Sequence, residues 1–222
     1  MGLVVNLEHW PMPAAIALAT EGVRANYNSG CGGGGFGAAD REMACKIDGA
    51  KILSVIDAIS QTDQHLADWC LFAYASPGWN SHKLTDRLIE HIAADWVFVH
   101  HEKTGEFIQK RTYSKIVAII PLIAGGLALE QASGACSDVC RGELVYNPAA
   151  TKAAIIHELV HYDSELASDQ SIGFLKSRAR YYQNHWDRVE QHIETIRSLL
   201  VCYDKAAQTK FKKLLENKMG AN

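Results

Sequence analysis

Apolar side chains recur along this chain at spacings of three and four residues almost throughout, and hardly ever at every second residue. Neighbours on a helix face lie three or four positions apart and neighbours on a strand face two apart, so the pattern predicts a mainly α protein. From Pro13 to Tyr27, the residues Ile16, Ala19, Val23 and Tyr27 keep one face. The loop Asn28 to Gly37 holds six glycines and breaks the helix, because each glycine costs about 1 kcal/mol there relative to alanine. Helix resumes from Ala38 to Ser60 with a stripe of Ile52, Val55, Ile56 and Ile59. Asp63 stands at the N-cap of a short helix through Leu66, Trp69, Phe72 and Ala73, which Pro77-Gly78 ends. Ser81 caps the next helix, whose inward face is Leu84, Leu88, Ile92 and Trp96.

One stretch reads differently. Trp96-Val97-Phe98-Val99 and Phe107-Ile108 flank Lys103-Thr104-Gly105 as two strands flank a turn, which predicts a small β-hairpin within 97–111. The longest apolar run, Ile116 to Leu129, falls short of the ~20 residues that span a bilayer and contains Pro121, Gly125 and Gly126. It reads as a buried, kinked helix, with no membrane partner expected. Polar, glycine-containing residues then mark 135–148 as a linker between a helical body, 1–134, and a second domain, 149–222, with Pro148 opening that domain's first helix. Three helices follow: Ala149 to Tyr162, a short one around Ser164 to Gln170, and a long one from Ser177 to about Leu200. In the last, Tyr182, Trp186, Val189, Ile193, Ile196 and Leu200 form an apolar seam that lasts under three heptads, which favours packing within its own domain over a dimer seam.

With 222 residues, 48% apolar and 21% charged, the composition excludes disordered, collagen-like and coiled-coil classes. The net charge of −3 hides a division. Residues 171–222 carry ten Lys/Arg against five Asp/Glu, which leaves twelve basic against twenty acidic residues elsewhere. A basic end on an acidic body suits a polyanionic partner, or a merely solvated helix face. Six cysteines (Cys31, Cys45, Cys70, Cys136, Cys140, Cys202) show no tight framework spacing, which favours reduced thiols and a cytosolic setting. Of these, Cys45, Cys70 and Cys202 read as core fillers. Met1 to Trp10 has neither a basic start nor a long apolar stretch, so no signal peptide is expected.

Four motifs carry candidate chemistry. Gly32-x-Gly34-x-x-Gly37 matches a dinucleotide fingerprint only in its letters, since helical pattern rather than a strand precedes it. A surface loop whose Phe36 docks on a partner is the better reading. His157-Glu158-Leu159-Val160-His161 places two imidazoles one helical turn apart, so His157 and His161 can grip Zn²⁺ while Glu158 acts as general base of a zinc peptidase. Such a site needs a third protein ligand, for which Glu190, Glu194, His185 and His192 are the candidates; without it the motif is two histidines on a polar helix face. Cys136 and Cys140 offer half a tetrahedral zinc site, or two free loop thiols. Finally, Leu166 to Gln170, a turn near Ser171-Ile172-Gly173, and a second helix starting at Ser177 have the layout of a helix-turn-helix. Arg178 and Arg180 suit guanine edges or phosphates, Gln183 or Asn184 suits adenine, and Lys176 and Arg188 suit the backbone, with Tyr181 beside them. Two packed helices with a basic exposed face are the plainer alternative.

The run Ser177 to Glu190, with its Tyr181-Tyr182 pair and following Trp186, resembles the end of bacteriophage late-gene antitermination proteins of the Q type. Leu66 to Ala75 is similar to that family's helix ahead of a Pro/Gly break, and Gly32 to Ala39 resembles its glycine-rich loop. The resemblance implies a regulator without an active site or cofactor, working in the host bacterial cytoplasm. It would bind double-stranded DNA near a late promoter, load onto paused bacterial RNA polymerase holoenzyme, and allow read-through of pauses and terminators. A basic C-terminal domain would tether the DNA while the acidic body meets polymerase. The competing readings are the zinc peptidase at residues 157–161 and a helical adaptor that binds protein only.

Overall fold

A computed structural model of the chain describes residues 11–21, 38–79, 81–133, 137–140, 143–146 and 148–220. The chain forms two units, Met1–Leu84 with Tyr203–Asn222, and Thr85–Cys202. The expected division into 1–134, a 135–148 linker and 149–222 is therefore not the one that the contacts follow: residues 149–202 belong with 85–134.

In the first unit, α1 (Met12–Glu21), α2 (Ala38–Thr62) and α3 (Gln64–Tyr74) pack on one another. Their apolar stripes meet as the spacing dictates. Ile16, Ile52, Val55, Ile59, Trp69 and Cys70 are all fully enclosed. Residues 203–220, the end of the last helix, add Tyr203, Ala207, Phe211 and Leu215 to this core. Among these apolar groups sits a buried carboxylate, Asp204, which accepts from Trp69 Nε1 at 3.1 Å, Tyr74 Oη at 2.5 Å and Gln208 Nε2 at 2.7 Å. Those bonds compensate its burial. Asp63 does precede α3, but its side chain makes no cap hydrogen bond and pairs with Lys210 instead. The glycine loop 28–37, with Val23, Tyr27, Cys31 and Phe36, lies outside the described residues.

The second unit contains most of α4 (His82–Thr104), then α5 (Lys110–Ser133), a two-stranded antiparallel hairpin of β1 (Ser137–Cys140) and β2 (Glu143–Tyr146), α6 (Lys152–Ala167), α7 (Ile172–Asn184) and the first half of α8 (Trp186–Gly220). Ser81 Oγ accepts from Leu84 N at 3.2 Å and starts α4 as expected, and Leu84, Leu88, Ile92 and Trp96 are buried. The hairpin expected within 97–111 is absent; α4 continues through it to Thr104. The β-branched and aromatic residues there misled, because Trp96 extends the four-residue stripe of Leu88 and Ile92. Gly105, at φ +70, is the helix terminator rather than a turn between strands, and its N–H returns to His101 O at 2.8 Å. The hairpin lies instead in the supposed linker, pairing Ser137 with Tyr146 and Val139 with Leu144.

The apolar run at 116–129 is helical and buries Ile116, Ile119, Ile120, Ile123 and Leu127, with Pro121 inside the helix. The helix outruns the run, however, and by length and composition Lys110–Ala132 is apolar enough to cross a membrane. Near its end Gly126 lies so close to the chain before α6 that a Cβ would stand 2.7 Å from Ala150 Cβ and 2.9 Å from Ala150 N. Glu130 fixes the same junction: it accepts from Ala149 N at 2.9 Å and pairs with Arg197 at 2.8 Å.

Four further expectations change. Pro148 does not open α6, which begins at Lys152 behind the cap Thr151, whose hydroxyl accepts from Ala154 N at 3.2 Å. The short helix expected at 164–170 is the end of α6, which stops at Ser168 in the left-handed region. The long helix expected from Ser177 to Leu200 is two: Ser171 caps α7 at Phe174 N, and the helix breaks at His185. The seam survives that break, with Tyr182, Trp186, Ile193, Ile196 and Leu200 all buried. Cys70 is a core residue, whereas Cys202 is exposed and not the core filler expected.

Candidate nucleic-acid interface and basic cleft

The helix-turn-helix candidate takes shape as α6, a turn at 168–171 and α7, and the two helices pack together. Its first helix is longer, and its second starts earlier, than the spacing suggested. Packing against α6 decides which residues of α7 face out. Lys176, Arg180, Gln183 and Asn184, at i, i+4, i+7 and i+8, share a face, and all four are exposed. Arg178, Tyr181 and Tyr182 lie on another.

Arg178 is thus no base reader. Its Nε and guanidinium bind Asp163 Oδ2, at 2.7 Å from Nε. Lys115 Nζ reaches the same carboxylate at 2.8 Å from Oδ1, and Tyr182 Oη donates to Oδ2 at 2.7 Å. Asp163 is buried. Burial alone would raise its carboxyl, but hydrogen bonds from Lys115, Tyr182 and Arg178 outweigh that and hold it below its ordinary value. Arg178 loses to burial and gains more from Asp163, so its guanidinium is stabilised. Lys115 goes the other way: burial dominates, and Arg178 and Arg111 add repulsion, so its ammonium is weakened. Burial and the bond to Asp163 raise the Tyr182 hydroxyl, which stays a donor. The cluster fastens α5, α6 and α7 to one another.

Beside it opens a cleft of about 450 Å³ lined mainly from α5, α7 and α8, with Leu159 of α6. Arg111, Lys115, Arg178, Arg188, His185 and His192 line it, with no carboxylate on its wall; Ile116, Leu159 and Val189 supply apolar surface. Arg178 lies 4.5 Å from the Tyr181 ring centre, and His185 stacks on the same ring at 4.5 Å. His192 meets Trp96 edge-on and lies 5.3 Å from His100; burial first, then the charge of His100, lowers its basicity.

The predicted DNA-binding residues are therefore split. Lys176, Arg180, Gln183 and Asn184 stay together on the outer face, while Arg178, Tyr181 and Arg188 line the cleft. Lys115, Arg111 and Asp163 escaped the sequence reading. One signal was present: Asp163 continues the apolar face of Ile155, Ile156, Leu159 and Val160 at helical spacing, and a carboxylate there needs cations to meet it.

His157 and His161 are both exposed on α6, and His161 Nδ1 lies 3.7 Å from Glu165 Oε2. None of the candidate third ligands joins them. His185 hydrogen-bonds Tyr181 O at 2.9 Å, His192 faces Trp96, and no group of three His, Cys, Asp or Glu side chains suited to a metal occurs among the described residues. Cys136 and the Cys140 side chain lie outside those described.

No protein-family model matches this chain, and neither a curated protein nor a solved structure is significantly similar to it.

Proposed function

We propose that the chain is a DNA-binding transcription regulator without catalytic activity, whose α7 meets duplex DNA through its outward face. The observation that carries this reading is the exposed quartet Lys176, Arg180, Gln183 and Asn184 on one side of a Ser171-capped helix that follows another across a short turn. Two cations suit phosphates or guanine edges, and two carboxamides suit adenine. Arg178 plays a positioning part, holding α7 on α6 through Asp163. Read-through of terminators on bacterial RNA polymerase is the finer proposal, and it rests on the likeness of Ser177 to Glu190 to the antitermination family. The likeness at Leu66 to Ala75 is weaker support, because Leu66, Ala67, Trp69 and Cys70 are already accounted for by core packing.

Fluorescence anisotropy with a labelled duplex at low salt tests the reading. The wild-type chain is expected to bind, and K176A/R180A to bind at least about tenfold more weakly. Equal affinity in the two proteins would remove the α7 face from the account. Transcription past a terminator, with and without the chain, tests the finer proposal.

A further inference from the structure

We infer that the cleft between α5, α7 and α8 binds a small phosphorylated anion, as an effector site apart from the outward face of α7. This goes beyond the DNA-binding reading, because the two sites use different side chains of the same helix.

Four cations, Arg111, Lys115, Arg178 and Arg188, line a space of about 450 Å³, a volume suited to a small ligand. Asp163, which is not on the wall, is shared by Lys115 and Arg178 and pairs with neither Arg111 nor Arg188. The cations stand at two depths. Lys115 and Arg178 side chains are recessed, 12% and 20% exposed, whereas Arg111 and Arg188 are exposed and have no ion-pair partner among the described residues. A guanidinium presents a planar fork of donors that matches two oxygens of a phosphate group. Two such forks at the mouth above an ammonium and a third guanidinium suit an anion that enters the cleft and is held by several oxygens at once. Phosphates on a duplex backbone reach exposed cations readily but not recessed ones, which favours a free small anion. Recognition rests on the phosphate group rather than on a stacked base, because Arg178 and His185 already cover the Tyr181 ring.

Calorimetric titration of the full chain with inorganic pyrophosphate at low salt, with sulfate at equal ionic strength as control, tests this. One pyrophosphate per chain is expected, bound more tightly than sulfate. R111A/R188A should bind at least about tenfold more weakly with an unchanged melting temperature, since both residues are exposed. R111K/R188K should recover only part of that loss. K176A/R180A should bind pyrophosphate as the wild type does, whatever it does to duplex binding, so either reading can fail alone. Absence of saturable pyrophosphate binding, or equal affinity in R111A/R188A, overturns the inference. So does displacement of pyrophosphate from K176A/R180A by stoichiometric duplex, which would make the cleft a backbone-phosphate contact.

Discussion

Asp163 is a point at which three helices of the second unit meet, because one buried carboxylate holds side chains from α5 and α7 against α6. Removing the charge leaves Lys115 and Arg178 side by side without their counter-ion. We expect Asp163→Asn to cost about 2–4 kcal/mol at neutral pH, measured by urea denaturation. The pH dependence has a definite sign. The folded-state pKa of Asp163 lies below its ordinary value of 3.8, so its contribution is complete above that value and fades as pH falls through the lower folded one. The stability gap between wild type and variant should thus stay constant from neutrality to about pH 5 and narrow below about pH 4. A gap that widens on acidification would show that Asp163 is not held ionised. Arg178 belongs to the same account: Arg178→Ala should lower stability, whereas Arg180→Ala should leave it within about 0.5 kcal/mol.

At the scale of elements, close approach and capping decide where helices begin and end. Gly126 of α5 touches the chain just ahead of α6, where an added methyl would meet Ala150 backbone as well as its side chain. Gly126→Ala should therefore cost about 1–3 kcal/mol despite alanine's better helix propensity, and an unchanged melting temperature would mean that the two segments separate easily. Ser171 provides the contrasting case. Its hydroxyl caps α7 at an exposed site, so Ser171→Ala should cost about 1 kcal/mol and weaken duplex binding if the orientation of α7 matters to it. The hairpin expected at 97–111, where α4 runs on instead, belongs here too. Val97, Phe98 and Val99 favour strand by propensity, but the inward stripe of Leu88, Ile92 and Trp96 favours helix, and burial of large apolar side chains outweighs propensity differences of a few tenths of a kcal/mol.

For the whole molecule, the charge division of the sequence marks the DNA-facing proposal and its salt dependence. If Lys176 and Arg180 each meet a phosphate, the log–log slope of duplex affinity against salt should be shallower by roughly 2 in K176A/R180A than in the wild type, at about 0.9 per contact. An unchanged slope would place the contacts elsewhere on the chain. The two units do not split where the charge does, since 203–222 belongs to the first unit and holds five of the ten basic residues of the C-terminal segment.

The mainly α class, the inward stripes of α2, α3, α4 and α5 and the cap at Ser81 were legible in the sequence, because helical periodicity and local hydrogen bonding are properties of residues a few positions apart. The sequence also marked the basic composition of α7. Only the tertiary structure decided which of those charges are free. Arg178 and Arg180 are alike in sequence, but two positions along a helix turn a side chain by about 200°, and only the fold supplies Asp163 and Lys115 on one of the two sides. The same holds for the cleft, whose Arg111 and Arg188 are far apart in the chain and come together through the packing of α5, α7 and α8.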